Sequence, residues 1–490
     1  MLSVKEKFSH IPSGSGALFF IQIFSTLGFA VLYSTLVLYA TKHLHFPAVK
    51  AAAIMGVFGA FNYGLHLFGG YLGGRFLSNR NLFVGGMIVQ VIGCALIAVG
   101  SLELFYWGLA LFLTGSGLNV TCINMMLTQR FKPEDIRREG AFLWNYAAMN
   151  IGFFVGFTAA GYFQFTESYA ALFIFATIGN FLAIVGAAIN WRVIDDLNTS
   201  LLTATAAQFK QRSIGGVFIL CALVPVVWYL LQSDWTERLI KLICLLVAIT
   251  MIYLTIVHKD QREKNNMKAY LVLTASSLVF WSLYQMAPNG LQLFAVNNVN
   301  LVVWGYEVAP QWVQDINTMV IVFGGPLMSA WFMRLRAKGW QIDVPKQFAA
   351  SLVLMGLGFL ALPLGILFAD AKGLSPFFFL FLSYVLQSFG ELLIMPVGYA
   401  MIGRMAPRQY QGVMMGSWML VVGLASLFSG DFSGMIPEPS TGSALTTNAD
   451  YSQLFSVLGW STVAVGVALA VLNPYLRNLI RDKEPANVVL

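Results

Sequence analysis

Apolar stretches recur along the 490 residues of this chain, and each is long enough to cross a lipid bilayer. About 20 residues in an α-helix span the roughly 30 Å of hydrocarbon, where only helices and closed barrels satisfy every backbone polar group. Counting the stretches predicts about fourteen transmembrane helices. Hydrophobic residues make up 58% of the chain and charged residues 10%, which excludes a water-soluble globule. We therefore expect an all-α polytopic membrane protein.

The predicted helices fall into groups of six, two and six. The first six run approximately over residues 16–41, 48–74, 81–101, 104–129, 140–165 and 168–191, and two more lie near 214–232 and 237–258. The last six lie near residues 267–289, 310–334, 348–370, 375–402, 409–430 and 454–476. We expect an N-terminal six-helix bundle in residues 1–191, a linker with two additional helices in 192–266, and a C-terminal six-helix bundle in 267–490. This arrangement resembles the major facilitator fold, whose substrate site lies between the halves near the bilayer midplane.

The loops predict the orientation of the chain in the membrane. Basic residues concentrate on one side, in loops that include Arg75, Arg80, Lys338 and Lys346, while the opposite loops contain acidic residues, among them Glu167, Glu307 and Glu438. The positive-inside rule then places both termini in the cytoplasm, and this placement of Lys and Arg accounts for the net charge of +7 without nucleic acid as a partner. The polar segment Met1–Ser15 precedes a first helix too long for a signal-peptide core, so no cleaved targeting sequence is expected.

Glu391 is a carboxylate with ten or more uncharged residues on both sides within one predicted helix. An ionisable side chain near the bilayer midplane costs roughly 3 kcal/mol on insertion scales, so such residues usually titrate, hold a substrate or line a water-filled path. A structural ion pair is the alternative, but no Lys or Arg lies comparably deep in another predicted helix. Glu391 is therefore the first candidate for a functional residue.

Four sets of residues carry a resemblance to a known family: Gly115–Asn119 with Trp144–Gly152, Phe280–Gln285, Gln311–Asn317, and Gly390–Gly398 with Gly412–Trp418. Their order and spacing resemble the signature patterns of the proton-dependent oligopeptide transporters, a family of the major facilitator superfamily. The additional helix pair is also typical of bacterial members. The resemblance implies an inner-membrane secondary transporter of peptides that works by alternating access. No Ser/His/Asp arrangement, metal-ligand cluster or phosphate-binding loop is visible in the sequence, so we predict no enzymatic activity and no cofactor.

The chain departs from the family pattern where the family couples protons and binds peptide carboxylates. Gln22, Ser25 and Thr26 occupy the positions of the Glu-x-x-Glu-Arg motif in helix 1. Four more charged positions of the family are uncharged here. Tyr33 stands in place of a second Arg of helix 1, and Val120 in place of a Lys of helix 4. Gln285 stands in place of a Glu of helix 7, and Gly74 in place of an Asp in the loop between helices 2 and 3. Gln22 and Gln285 retain the shape and hydrogen bonding of Glu without its charge, so they line the cavity or make a neutral packing contact.

The positions that surround a peptide's amino terminus in the family are retained. Glu391, Asn150 and Asn317 match them, and a carboxylate pairs with an ammonium while each Asn offers a donor and an acceptor. For the two asparagines, the alternative is an interhelical hydrogen bond that only joins helices. Tyr63 and two tryptophans, Trp281 and Trp418, resemble pocket residues that stack on a side chain or contact a cation, although a single aromatic residue is more often packing or an interfacial anchor.

His66 stands where the family pattern has Pro and is the other deep titratable group. Because histidine titrates near neutrality, it is a second candidate for proton coupling beside Glu391. A histidine that is hydrogen-bonded to a neighbouring helix is the alternative.

The missing basic residues predict the substrate. Without them a free carboxylate would be buried unpaired, so we expect a small peptide or another amine-bearing substrate whose amine contributes more than its carboxylate. Protons coupled through Glu391 and the lipid bilayer complete the expected partners, and we expect a monomer. Two alternatives remain open: a non-transporting membrane sensor or scaffold derived from the transporter fold, and an uncoupled facilitator or exporter of amines.

Overall fold

The computed structural model describes residues 12–480 except 133, 134, 136, 167, 340–342 and 437–442. The terminal residues 1–11 and 481–490, for which we predict a cytoplasmic location, lie outside the described residues. Glu167 and Glu438 of the predicted acidic loops also lie outside them.

Fifteen α-helices form most of the described structure. They are α1 Ser15–Leu38, α2 Ala48–Leu72, α3 Asn79–Ala98, α4 Leu102–Thr128, α5 Arg137–Phe165, α6 Tyr169–Ile189, α7 Ala206–Leu231, α8 Thr236–Val257, α9 Gln261–Tyr284, α10 Gly290–Asn298, α11 Trp312–Ala337, α12 Val344–Leu367, α13 Phe377–Met405, α14 Gln411–Gly434 and α15 Ala444–Ile480. A π-helical turn, Tyr39–His43, extends α1, and a 3-10 turn, Arg408–Tyr410, precedes α14.

The prediction of an all-α protein with about fourteen long helices is confirmed. All the helices except α10 have 20 residues or more, and among the described residues twelve helices are long and apolar enough to cross a membrane. The two long helices outside this set, α5 and α9, are more polar, since α5 buries Asn145 and Asn150 and α9 begins with the charged segment Gln261–Lys268. The polar side chains that lower the hydropathy of α5 also include candidate site residues.

The described chain divides into two compact units. Unit 1 contains the described residues up to Pro47 together with Val57–Thr236, and unit 2 contains Ala48–Gly56 and the described residues from Glu237 onward. Helix α2 therefore begins in unit 2 and continues in unit 1. The two additional helices are also divided, with α7 in unit 1 and α8 in unit 2.

Unit 1 has a tightly packed core in which α3 contacts α4 and α6, and α1 contacts α5 and α6. Small residues permit the close approach of α3 and α4, because a Cβ at Gly93 would lie 2.6 Å from the carbonyl oxygen of Gly108. A buried amide chain links three helices: Asn119 Nδ2 donates to Gln90 Oε1 at 3.0 Å, and Gln90 Nε2 donates to Asn180 Oδ1 at 3.1 Å. These hydrogen bonds join α3, α4 and α6 across the lipid-excluded interior.

The segment that follows α6 is held against the start of α3 by acidic and basic side chains. Asp196 Oδ2 accepts from the backbone nitrogen of Asn79 at 2.8 Å, and Asp195 Oδ1 lies 3.2 Å from Arg80 Nη2. A carboxylate at a helix N-terminus satisfies an otherwise unpaired N–H and interacts favourably with the helix dipole. Nearby Gly74 has a φ of 72°, a conformation in which most side chains are strained.

Unit 2 is built around α12, which contacts α13 and α15, and around the contacts of α9 with α14 and of α11 with α13. Two small pairs of strands accompany the helices: β1 Val299–Asn300 is parallel to β4 Ser375–Pro376, and β2 Val302–Val303 is antiparallel to β3 Tyr306–Glu307. Helix α8 is joined to α14 by an ion pair between Lys241 Nζ and Asp431 Oδ2 at 2.8 Å.

Candidate functional site

Glu391 lies in the middle of α13 and is 5% exposed. Its Oε2 accepts a hydrogen bond of 2.8 Å from Asn317 Nδ2 on α11, and the Tyr284 side chain at the end of α9 is a second hydrogen-bond partner. None of the ion pairs among the described residues includes Glu391. The locked ion pair considered from the sequence is therefore absent from the described part of the chain, and both hydrogen-bond partners of this carboxyl are neutral groups.

Helical spacing explains why α13 presents a polar face at this point. Tyr384, Ser388 and Glu391 follow one another at intervals of four and three residues, which places them on one face of the helix. Asn317 Nδ2 lies 3.0 Å from Ser388 Oγ as well as 2.8 Å from Glu391, so one amide nitrogen contacts both side chains. Tyr384 donates to the carbonyl oxygen of Ala287 at 3.3 Å, which links this face of α13 to the segment after α9.

Aromatic residues of α9 lie beside the Glu391 site. The ring centroids of Trp281 and Tyr284 are 5.4 Å apart in an edge-on arrangement, and Trp281 is 4% exposed. The indole Nε1 of Trp281 is buried without a hydrogen-bond acceptor, which leaves a donor available near Tyr284. Gln285, which is 2% exposed, follows directly after α9.

Trp418 lies elsewhere in unit 2. It is 1% exposed and its ring packs on Gly398 of α13, where even a Cβ would clash with the indole. Its ring centroid is 6.4 Å from that of Phe348 on α12. These contacts describe a tightly packed tryptophan, and its predicted substrate contact stays a prediction.

The candidate residues of unit 1 are each held by short-range contacts. Asn150 Nδ2 donates to the carbonyl oxygen of Tyr146 in its own helix at 2.9 Å, and Tyr33 stacks on Phe29 with ring centroids 5.5 Å apart. Gln22 is 2% exposed and its Nε2 donates to Thr26 Oγ1 at 2.8 Å. The structure thus describes Asn150 within unit 1 and Glu391 within unit 2, and their joint contact with a substrate stays a prediction.

Tyr63 and His66 are neighbours on α2, with ring centroids 5.7 Å apart. The hydrogen bond that connects His66 to a neighbouring helix uses its backbone carbonyl, which accepts from Thr121 Oγ1 at 2.9 Å. Its ring Nε2 is buried and has no hydrogen-bond partner. The alternative considered from the sequence was a histidine side chain that is hydrogen-bonded to a neighbouring helix. The hydrogen bond found here uses the backbone instead, and the ring Nε2 has no partner.

Comparison with known proteins identifies the family. The model of the POT family matches residues 80–449, about three quarters of the chain. The chain belongs to the POT family. It is 30% identical over 482 residues to dipeptide and tripeptide permease A of Chromobacterium violaceum, with 96% of this chain and 94% of the permease covered. It is 29% identical to dipeptide and tripeptide permease B of Salmonella typhimurium, with 94% and 95% covered.

Solved structures of POT family transporters have the same fold. A POT family transporter in complex with 5-aminolevulinic acid superposes with a TM-score of 0.81 at 20% identity, with 95% of this chain and 97% of that chain covered. A mutant of the peptide transporter POT in complex with alafosfalin gives a TM-score of 0.81 at 23% identity, with 96% of each chain covered. The resemblance to the major facilitator fold that was predicted from the helix pattern is confirmed.

In this POT family member, three residues that contact candidate site residues were not predicted from the sequence. Tyr284 and Ser388 were not singled out, although Ser388 lies three residues before Glu391 and Tyr284 lies within a family pattern. Asn145 was also missed; its Nδ2 donates to Gln22 Oε1 at 3.4 Å. Helical spacing from Glu391 is a sequence signal for Ser388, whereas the contact of Asn145 with α1 depends on interhelical packing.

Proposed function

We propose that this protein is a proton-coupled secondary transporter that moves small peptides or peptide-like amines across the bacterial inner membrane by alternating access. In this proposal Glu391 binds the substrate amine and takes part in proton coupling. Asn317 and Tyr284 orient the Glu391 carboxyl, and Trp281 lines the same region. The basic loops face the cytoplasm, the bundles comprise residues 1–191 and 267–490, and the protein acts as a monomer.

The observation that carries the proposal is the buried Glu391 carboxyl with neutral hydrogen-bond partners. An ionised carboxylate in a lipid-excluded site is costly unless a cation pairs with it, and a carboxyl that remains there is therefore protonated or paired with an incoming cation. A proton taken up from the outer side keeps the empty site neutral, and a substrate ammonium that pairs with Glu391 displaces this proton to the cytoplasmic side, so that proton and substrate move in the same direction. The same group thus links substrate binding to proton binding.

The comparisons support a transport function over the sensor or scaffold alternative. Both relatives described above are named as dipeptide and tripeptide permeases, and they align with nearly the full length of this chain. A transporter of the same fold was solved in complex with 5-aminolevulinic acid, a small amino acid with a primary amine. Peptides and other small amines are therefore the substrates to test first.

Uptake by purified protein in liposomes tests the proposal. With an imposed inward proton gradient, we expect dialanine to accumulate inside liposomes that contain the wild-type protein, and an uncoupler to abolish the accumulation. Glu391→Gln preserves the shape of the side chain and removes its charge. In this variant the bound substrate ammonium has no ionic partner, which costs about 2 kcal/mol or more for a buried charge. Gradient-driven uptake should therefore fall by at least tenfold.

Glu307→Gln, an equivalent change at an exposed residue of β3 in unit 2, is the matched control and should leave uptake unchanged. Normal gradient-driven uptake by Glu391→Gln would contradict the role of this residue. Binding of dialanine without any uptake would favour the sensor alternative, and uptake that equilibrates without responding to the gradient would favour an uncoupled facilitator.

A further inference from the structure

A cluster of neutral side chains joins α1, α4 and α5 inside unit 1. It consists of Gln22, Thr26, Asn124 and Asn145, and we refer to it as the amide cluster. Asn145 Nδ2 lies 3.4 Å from both Gln22 Oε1 and Asn124 Oδ1, and Gln22 Nε2 donates to Thr26 Oγ1 at 2.8 Å. Three helices therefore meet at carboxamide and hydroxyl groups.

The amide cluster is buried and uncharged. The exposed fractions are 2% for Gln22, 6% for Thr26 and 8% for Asn145, while Asn124 is only partly buried and gives the cluster one accessible edge. No hydrogen bond or ion pair in the described part of the chain connects these four side chains to a charged group. None of the four side chains of the cluster therefore offers a cation to a substrate carboxylate.

The hydrogen-bonding capacity of the cluster is incompletely used. Asn145 Oδ1 is buried without a donor, and no acceptor among the described residues contacts the Nδ2 of the partly buried Asn124. Both hydrogen bonds donated by Asn145 are 3.4 Å long, beyond the usual range of 2.7–3.2 Å for N–H···O contacts, so their rearrangement loses little. A buried acceptor without a donor is unfavourable, and a ligand that donates to it gains binding free energy.

We propose that the amide cluster binds a terminal carboxamide of the substrate, with Asn145 Oδ1 accepting from its N–H and Asn124 Nδ2 donating to its carbonyl oxygen. A carboxamide carries one donor group and one acceptor on the same plane, which matches the two unused atoms of the cluster. An ionised carboxylate carries acceptors only and would leave Asn145 Oδ1 unpaired. The inference rests on the proposed function, because it adds a second recognition site to the transporter that binds an amine at Glu391.

Binding of two probes to the purified full-length protein tests this inference. The probes are L-alanyl-L-alanine and its C-terminal amide, and titration calorimetry measures the ratio of their dissociation constants. We expect the wild-type protein to bind the amide about tenfold more tightly, the order of difference that one correctly paired buried polar group produces. Asn145→Leu removes the acceptor at similar size and should bring the ratio close to one, mainly by weakening the amide.

Asn124→Leu is the second variant, which keeps the test informative if Asn145→Leu does not fold, because Asn124 is less buried. It should also lower the preference for the amide. Asn62→Leu is the matched control: Asn62 is a 5% exposed asparagine of unit 1 whose Oδ1 accepts from Ser116 Oγ at 3.2 Å, outside the amide cluster. Its ratio should equal that of the wild-type protein.

The outcomes separate this inference from the proposed function. Glu391→Gln should weaken both probes by a similar factor and leave their ratio unchanged, so its result tests the amine site alone. An unchanged ratio in folded Asn145→Leu and Asn124→Leu would overturn the inference and assign the cluster to helix packing. Tighter binding of the free acid by the wild-type protein would also overturn it.

Discussion

At the residue scale, the described site contains one acid and several neutral hydrogen-bonding groups. Glu391 has a direct contact with Asn317 at 2.8 Å, and Ser388 contacts the same amide nitrogen at 3.0 Å. A neutral partner orients a carboxyl without neutralising it, so the site remains able to bind a proton or an ammonium in turn. The contribution of each neutral group can therefore be separated from that of Glu391 itself.

Asn317→Ala should weaken substrate binding by about 1–3 kcal/mol, because it leaves the buried Glu391 carboxyl without one donor. Ser388→Ala should have a smaller effect, since Ser388 also donates to the Tyr384 carbonyl at 2.6 Å and has no hydrogen bond to Glu391 in the described structure. Asn150→Ala should weaken binding to a similar extent as Asn317→Ala if Asn150 contacts the substrate as predicted. Calorimetric titration with dialanine measures all three, and unchanged affinity in folded Asn317→Ala and Asn150→Ala would leave both asparagines with a packing role.

The substrate amine provides a complementary test at the same scale. N-acetylation of dialanine removes its positive charge and its ability to pair with Glu391, so binding should become undetectable in the titration that measures dialanine. An acetylated peptide that binds as tightly as dialanine would show that another group recognises the substrate.

At the scale of secondary-structure elements, two acidic residues after α6 bind the start of α3. Asp196 reaches the N-terminus of α3 from a distant part of the chain and is buried, while the side chain of its neighbour Asp195 is 48% exposed and pairs with Arg80. Beyond this ion pair, Asp195 Oδ1 accepts from the adjacent backbone N–H of Asp196, at 2.9 Å, whereas the more buried Asp196 accepts from the start of α3. The two carboxylates are therefore unequal in energy, although they are adjacent in sequence. The segment after α6 is therefore part of the structural core of unit 1.

Asp196→Ala should lower the free energy of unfolding of unit 1 by about 1–3 kcal/mol, because the backbone N–H and the side-chain amide of Asn79 lose a buried acceptor. Asp195→Ala is the matched control and should cost less than about 1 kcal/mol, as an exposed ion pair usually does. Thermal unfolding of the detergent-solubilised proteins measures both changes. Equal shifts in melting temperature for the two variants would contradict the capping role of Asp196.

At the scale of the whole molecule, the additional helices α7 and α8 belong to different units. Trp107 of α4 stacks on Trp228 of α7 with centroids 4.6 Å apart, and Lys241 of α8 pairs with Asp431 of α14. Each additional helix therefore has its own attachment within one unit. The orientation of the entire chain, in contrast, depends on its loops.

Labelling of single cysteines in cells tests the predicted orientation. Trp304 is 96% exposed in the turn between β2 and β3, and Lys210 is exposed near the start of α7, on the side predicted to be cytoplasmic. After replacement of the four native cysteines, a membrane-impermeant maleimide should label Trp304→Cys in intact cells and Lys210→Cys only after permeabilisation. The reverse pattern would invert the topology.

The sequence by itself determined the all-α membrane class, the number of long helices and the choice of Glu391 as the first candidate for a functional residue. The length of an apolar stretch and the isolation of an acid within it are local properties of the chain. The family resemblance added Asn317 to the Glu391 site, and the structure places these two side chains 2.8 Å apart. Local patterns did not predict that Tyr284 contacts Glu391, that Asn145 contacts Gln22, or that Asp196 reaches α3. Only the tertiary structure decided these contacts, because each joins separate segments whose facing surfaces are set by packing rather than by spacing along one helix.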